Sequence, residues 1–222
     1  MLMKLTSKTL SLLMAGACSA SAATITWDPV LVNTTAADIL TNGTLVTAQE
    51  GGSTDDTIVN GVTFLGGGGP TNNVLASGAE GTFWTLGTGV NTTGDAGLDA
   101  LLDSHTWQGG TPSSGSFDVN GLIAGEAYVI QIISVGDTRG CCATRTQNYD
   151  GGGSVSGDLT RADPSSVVGY FTADDVFQTI TVNGSQDGGI SGFQVRHVPI
   201  PEPGSALLSL VGLLGLAARR RR

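Results

Sequence analysis

The sequence predicts an all-β fold: an antiparallel β-sandwich of jelly-roll style with one short helix. Three observations predict it. Glycine is abundant at 34 of 222 residues and aromatics make up 5%. With Thr, Ser, Asn and Val filling much of the rest, this mixture favours short strands and turns over helices. Asn-Gly occurs at Asn42-Gly43, Asn60-Gly61, Asn120-Gly121 and Asn183-Gly184. Both residues tolerate positive φ, so the pair is the strongest short hairpin signal. Finally, short β-branched segments recur roughly every ten to fifteen residues between turn residues, the spacing of a sandwich.

The strands expected in order are Thr24–Trp27, Thr44–Ala48, Thr57–Leu65, Thr82–Leu86, Ser116–Val119, Ala127–Val135, Val167–Thr172, Val176–Val182 and Ile190–Val198. Ala127–Val135 reads AYVIQIISV, nearly continuous apolar, which predicts a central strand covered on both faces. Val176–Val182 alternates. It puts Phe177, Thr179 and Thr181 on one face and Val176, Gln178, Ile180 and Val182 on the other. The helix is expected over Asp95–Ser104, where Leu98, Leu101 and Leu102 fall at three- and four-residue spacing with acids between them. The glycine runs Gly66–Gly69 and Gly151–Gly153 read as loops. Neither is followed by the Lys-Ser/Thr or helix start of a phosphate loop, so nucleotide binding is not expected.

The ends are of different character. Lys4 and Lys8, the apolar Leu10–Ala17 and the small-residue site Ala20-Ser21-Ala22 make residues 1–22 a secretory signal, with the mature chain expected from Ala23. Cys18 lacks the upstream leucine of a lipoprotein site and is expected to leave with the signal. Residues 23–197 form the predicted sandwich, long enough for one domain with a proper core. There Arg139, Arg145, Arg161 and Arg196 stand against eighteen acidic residues, a net charge of about −14. Such a surface repels nucleic acid and anionic lipid.

Residues 198–222 read VPIPEPGSALLSLVGLLGLAARRRR. Pro201-Glu202-Pro203 cannot be helix or central strand, because proline lacks an N–H and restricts the residue before it. Gly204–Ala218 is apolar, yet as a helix it reaches only ~22 Å, short of the ~30 Å hydrocarbon core. Arg219, Arg220, Arg221 and Arg222 are expected to stay cytoplasmic. The arrangement fits a tail that is inserted, recognised and removed. A plain C-terminal membrane anchor is the alternative.

Pro201-Glu202-Pro203, the apolar run and Arg219–Arg222 together resemble the PEP-CTERM sorting signal of Gram-negative bacteria. The resemblance covers about a tenth of the chain. It implies recognition by an exosortase, a membrane cysteine protease or transpeptidase, in an exopolysaccharide-producing bacterium. Transient membrane insertion and then export to the cell surface or extracellular matrix follow from it. A second likeness runs through Val59–Phe64, Gly121-Leu122, Tyr128–Val135, Gly169–Phe171 and Gly192–Arg196. These pieces resemble β-sandwich modules recurring in PEP-CTERM proteins, which are similar in layout to carbohydrate-binding jelly rolls.

Three constellations bear on the domain's chemistry. Gly136–Asp150 (GDTRGCCATRTQNYD) holds Cys141 and Cys142 between Arg139 and Arg145. In an oxidising compartment the pair can close as a vicinal disulfide, bond other chains or stay reduced. The vicinal bond is the expectation. A loop so stiffened could present Arg139, Arg145 and Tyr149 to an acidic sugar, since arginine forks match carboxylates. Alternatively Arg139 and Arg145 pair with Asp137 and Asp150 and only fix the loop. The second constellation is acidic: Asp55-Asp56, Asp174-Asp175 and Asp95/Asp99/Asp103 could hold a structural Ca²⁺. None matches a known calcium-loop pattern, Asp174-Asp175 reads as a hairpin turn, and no cofactor is expected. The third is catalytic. His105 and His197 are the available bases near neutral pH. Ser104 and His105 are sequence neighbours, wrong for a fold-assembled pair, and no nucleophile elbow appears. The domain is expected to bind or to build, in a polysaccharide matrix. A carbohydrate-binding module proper and a secreted hydrolase are the alternatives.

Overall fold

The computed structural model describes residues 22–33, 35–52, 55–66, 81–85, 91–134, 136–137 and 139–199, with the backbone path alone over 81–85. The expected signal through Ser21, Gly67–Gly69 of the first glycine run, and Pro201, Glu202, Pro203 and Arg219–Arg222 of the expected sorting tail lie outside the described residues. Two antiparallel sheets face each other. The larger has the order Thr26–Trp27, Ser165–Thr172, Ala127–Ile133, Gly192–His197 and Thr44–Glu50, with Leu31–Val32 also pairing with Ser165–Thr172. The smaller has the order Ser154–Val155, Thr146–Gly151, Phe177–Gly184 and Ser113–Asn120, with Leu159–Thr160 also on Thr146–Gly151. Gly189–Ile190, Ser104–Trp107 and Gly81–Thr85 make a three-stranded sheet, and Thr57–Val59 with Val62–Phe64 a hairpin. The chain is all-β and sandwich-like, as its composition predicts.

Ala127–Ile133 lies between two long partners. Its continuous apolar character follows from burial on both faces. Tyr128, Ile130 and Ile132 point into the sandwich core with Phe117, Tyr149, Ile180, Val182 and Phe193. Ile133 faces the other way, into a second core with Phe64, Leu98, Leu101 and Leu102. The alternation holds within the Phe177–Gly184 strand, with Gln178, Ile180 and Val182 inward, but Val176, expected on the same face, precedes the strand and is exposed. Gly169 lets the first strand come close. A Cβ there would sit 2.4 Å from Ile25 Cγ2 and 2.7 Å from the Trp27 ring.

The Asn-Gly reading needs correction. Asn60-Gly61 alone makes a hairpin, with φ of 49° and 75°, so the expected strand Thr57–Leu65 is two strands and a turn. From Ser113 onward the six long strands alternate between the sheets. Ser113–Asn120, Thr146–Gly151 and Phe177–Gly184 belong to one sheet; Ala127–Ile133, Ser165–Thr172 and Gly192–His197 belong to the other. Each connection therefore arches across the sandwich edge, a span that a two-residue turn cannot make. Gly121 (φ 84°) ends a strand and begins such an arch. Asn183-Gly184 is paired within its strand. Asp174-Asp175, expected in a hairpin, lies in another arch, where the Asp175 carboxylate accepts from the Val176 N–H at 2.6 Å.

The helix runs Ala96–Asp103 and buries Leu98, Leu101 and Leu102 over the large sheet. Its acids accept hydrogen bonds from the backbone and side chains beside it. Asp95 caps the helix by accepting from the Leu98 N–H at 2.8 Å. Asp99 accepts from the Thr93 N–H and hydroxyl at 2.7 Å each. Asp103 accepts from the Asn91 N–H and side-chain amide at 3.1 and 2.6 Å. Together they bind the 91–95 segment to the helix. Among the described residues no cluster of three His, Cys, Asp or Glu is arranged to hold a metal.

A row of polar side chains crosses the outer face of the large sheet. Gln131 Nε2 donates to the Asp38 carbonyl at 2.8 Å, and its Oε1 accepts from the Leu40 N–H at 3.0 Å and from Gln194 Nε2 at 2.8 Å. Arg196 continues the row, donating to Gln194 Oε1 and to the carbonyls of Thr41, Asn42 and Gly43. The row holds the 38–43 strap on the sheet and places Ile39 in the second core. Arg196 is thus consumed by backbone carbonyls.

Candidate functional site

The strand directions give the domain two poles. Ala127 starts the central strand beside the end of the last one, with the Val198 N–H bonded to the Ala127 carbonyl. Thr24 and Thr26 reach the same pole, where a shallow groove of about 420 Å³ runs between them, Tyr128, Tyr170 and Val198. Both ends of the domain therefore leave together. The central strand then runs seven residues, ~20 Å at ~3.3 Å each, to Ile133 and the cysteine loop at the opposite pole.

At that far pole a cleft of about 240 Å³ is lined by His105, Trp107, Arg139, Cys141, Cys142, Arg145, Arg161 and Asp187. Four separate stretches supply it: the strand after the helix, the cysteine loop, the turn before Ser165–Thr172, and the arch after Phe177–Gly184. Three of the four arginines between Ala23 and Ile200 meet there. On a domain of about −14 this is a concentrated positive site.

The cysteine loop carries the Cys141–Cys142 disulfide. Cys142 is buried and Cys141 exposed. The loop is further tied by the Cys142 and Ala143 N–H groups, both donating to the Arg139 carbonyl at 2.8 and 3.1 Å. Arg139 forks onto Asp137, with Nε to Oδ1 at 2.8 Å and Nη2 to Oδ2 at 2.7 Å. Burial alone would raise the Asp137 carboxyl, but the hydrogen bonds and charge of Arg139 outweigh it and hold it below the ordinary value. Arg145 pairs with Asp187 at 2.8 Å, not with Asp150, which instead accepts from the Gly153 N–H at the turn. Tyr149 is a second correction. It is fully buried and hydrogen-bonded to Gln147 and the Gly189 carbonyl. It sits inward on its strand and offers no face to a ligand.

Trp107, Arg161 and Asp187 were not singled out in the sequence. Arg161 is 2% exposed and donates through Nη2 to the Asp187 carbonyl. Burial, then the neighbouring Arg145, lower its pKa from the ordinary value. The one sequence signal for it was scarcity: a domain with four arginines gives each a strong prior of a defined role.

The histidines divide. His197 lies at the tail pole, with Nε2 3.0 Å from Glu126. His105 lies in the cleft, its ring 5.3 Å from that of Trp107. Burial, then Arg161, push His105 down to about 3, so it is neutral at pH 7 and a weak base there. Its neighbour Ser104 accepts from the Gly52 N–H at 2.9 Å. The His105 shift has a consequence for stability. The unfolded ring takes a proton below about pH 6.5, the folded one only near pH 3. Stability contributed by neutral His105 is therefore complete above pH 6.5 and falls toward pH 3, by about 1.4 kcal/mol per pH unit. Glu50 acts in the opposite sense, because burial raises its carboxyl against hydrogen bonds from Thr57 and Ser104. Urea unfolding at pH 7, 5 and 4 should show a steeper loss for wild type than for His105→Gln; parallel profiles would refute the buried neutral ring.

No protein-family model, curated protein or solved structure matches this chain.

Proposed function

We propose that the chain is an exported protein, sorted by an exosortase through Pro201-Glu202-Pro203 and its arginine-ended apolar tail, whose sandwich domain binds polysaccharide in the extracellular matrix. The observation that carries this reading is the polarity of the domain. The segment leading to the tail leaves at Val198, at one pole. The arginine-lined cleft opens at the other, ~20 Å along the central strand. A domain held at its tail pole would present the cleft outward, away from the membrane. Binding is favoured over catalysis because the cleft's one histidine is buried and neutral at pH 7, a weak base for activating a nucleophile there.

Intact mass of the protein from its host tests the sorting. The expected product starts near Ala23, ends near Pro201–Gly204 and is two hydrogens lighter than the dithiol. A product that keeps Arg219–Arg222 would make the tail an ordinary anchor. Retention of the product on the host's own exopolysaccharide tests the binding.

A further inference from the structure

Charge pairing in the cleft leaves one cation over. Arg139 is matched by Asp137 and Arg145 by Asp187. His105 is neutral at pH 7. Arg161 makes no ion pair among the described residues, and its one side-chain hydrogen bond among them goes to a backbone carbonyl. A buried cation is costly unless an anion meets it. Beside it, Arg145 Nε is buried without an acceptor, although its Nη1 pairs with Asp187. Arg161 thus lacks a paired carboxylate and Arg145 Nε an acceptor, and the charged groups lining the cleft, with Asp137, leave one positive charge over.

We infer that the cleft is a binding site for a single carboxylate-bearing sugar unit, its carboxylate meeting Arg161 and Arg145 and its ring lying against Trp107. This rests on the polysaccharide-binding reading above. The planar carboxylate matches the guanidinium fork, and one negative charge matches the surplus. A phosphate dianion would overbalance the site. The cleft, at about 240 Å³, lies below the ~300–1,000 Å³ of pockets for drug-sized ligands, so it takes one ring. Half-buried Trp107 and the Cys141–Cys142 bridge give that ring non-ionic walls. The overall charge of about −14 repels a densely charged polymer. The ligand is therefore a glycan with spaced acidic units, not a continuous polyuronate.

The test is titration calorimetry on the exported protein at pH 7 and low salt, with methyl glucuronide, methyl glucoside, glucose 6-phosphate and an acidic dipeptide as probes. The glucuronide should bind at least about tenfold more tightly than the other three, the usual value of one charge-assisted hydrogen bond. Arg161→Met should weaken it about 10- to 100-fold and abolish the preference over the glucoside. Should that variant not fold, the wild-type comparison alone decides. Equal binding of glucuronide and glucoside, or no binding of either, overturns the carboxylate site. Equal or tighter binding of the phosphate or the dipeptide overturns the sugar assignment. The two readings fail separately. Glucuronide binding without retention on host polysaccharide sinks the matrix role and leaves the site. Retention that survives Arg161→Met unchanged sinks the site and leaves the matrix role.

Discussion

Phe193→Ala should cost the domain about 3–5 kcal/mol, the range for removing a buried phenyl group. Phe193 is 1% exposed and sits in the last strand, on the face toward the sandwich core. Its ring centroid is 4.8 Å from that of Phe117 in the opposite sheet, tilted by 34°. Aromatic contacts of this kind add to the plain burial of area. The pair joins two sheets whose long strands share no tight hairpin from Ser113 onward. With the connections arching across the edge, inter-sheet packing is what holds the two layers together. Urea unfolding of Phe193→Ala and Phe193→Leu measures the effect. Leu should recover more than half, because it refills most of the cavity. A loss under about 1 kcal/mol for the Ala variant would show that the sheets do not depend on this contact.

Gln131→Leu should cost about 3 kcal/mol despite the gain in apolarity. Gln131 is fully buried at the centre of the large sheet. Leucine of similar size would strand the Leu40 N–H and the Asp38 carbonyl, both now partnered by Gln131, and take one of the two acceptors of the Gln194 amide, which keeps the Leu40 carbonyl. Leaving a buried polar group unmade costs ~1–3 kcal/mol, and side-chain relaxation recovers part of the sum. The damage should be local first. Hydrogen exchange at the Leu40 N–H should lose protection well before the central strand does, because the 38–43 strap is held by this row. Arg196, which holds three carbonyls of the same strap, should keep the strap partly docked. Unchanged exchange at Leu40 would refute the role given to Gln131.

Much of the architecture was legible in the chain. The apolar run around Ile130 announced a strand covered on both faces, because burial on two sides leaves no polar position to alternate. The leucine spacing announced the helix, and the alternation of Gln178, Ile180 and Val182 announced a strand with unlike faces. Several strands were not legible, among them the short Ser104–Trp107 and Leu159–Thr160 and the longer Thr146–Gly151. They are polar, and they are strands because a partner supplies their ladder bonds. Asn-Gly misled for a related reason. The pair permits a hairpin, but whether consecutive strands pair or cross to the other layer is decided by which faces must meet in the core.

The sequence by itself determined the all-β class, the central strand, the signal-like and tail-like ends, and the charge imbalance that makes each arginine of the domain conspicuous. These are properties of composition and short-range pattern, which a linear chain carries in full. Only the tertiary structure decided that Arg196 is spent on carbonyls while Arg139, Arg145 and Arg161 converge, that Tyr149 is core, and that Arg145 answers Asp187. Those outcomes depend on arches that bring distant segments to one pole, and no local spacing records where an arch will land. The placement of the cleft opposite Val198 is of the same kind. It follows from the direction of one buried strand, fixed by packing on both its faces.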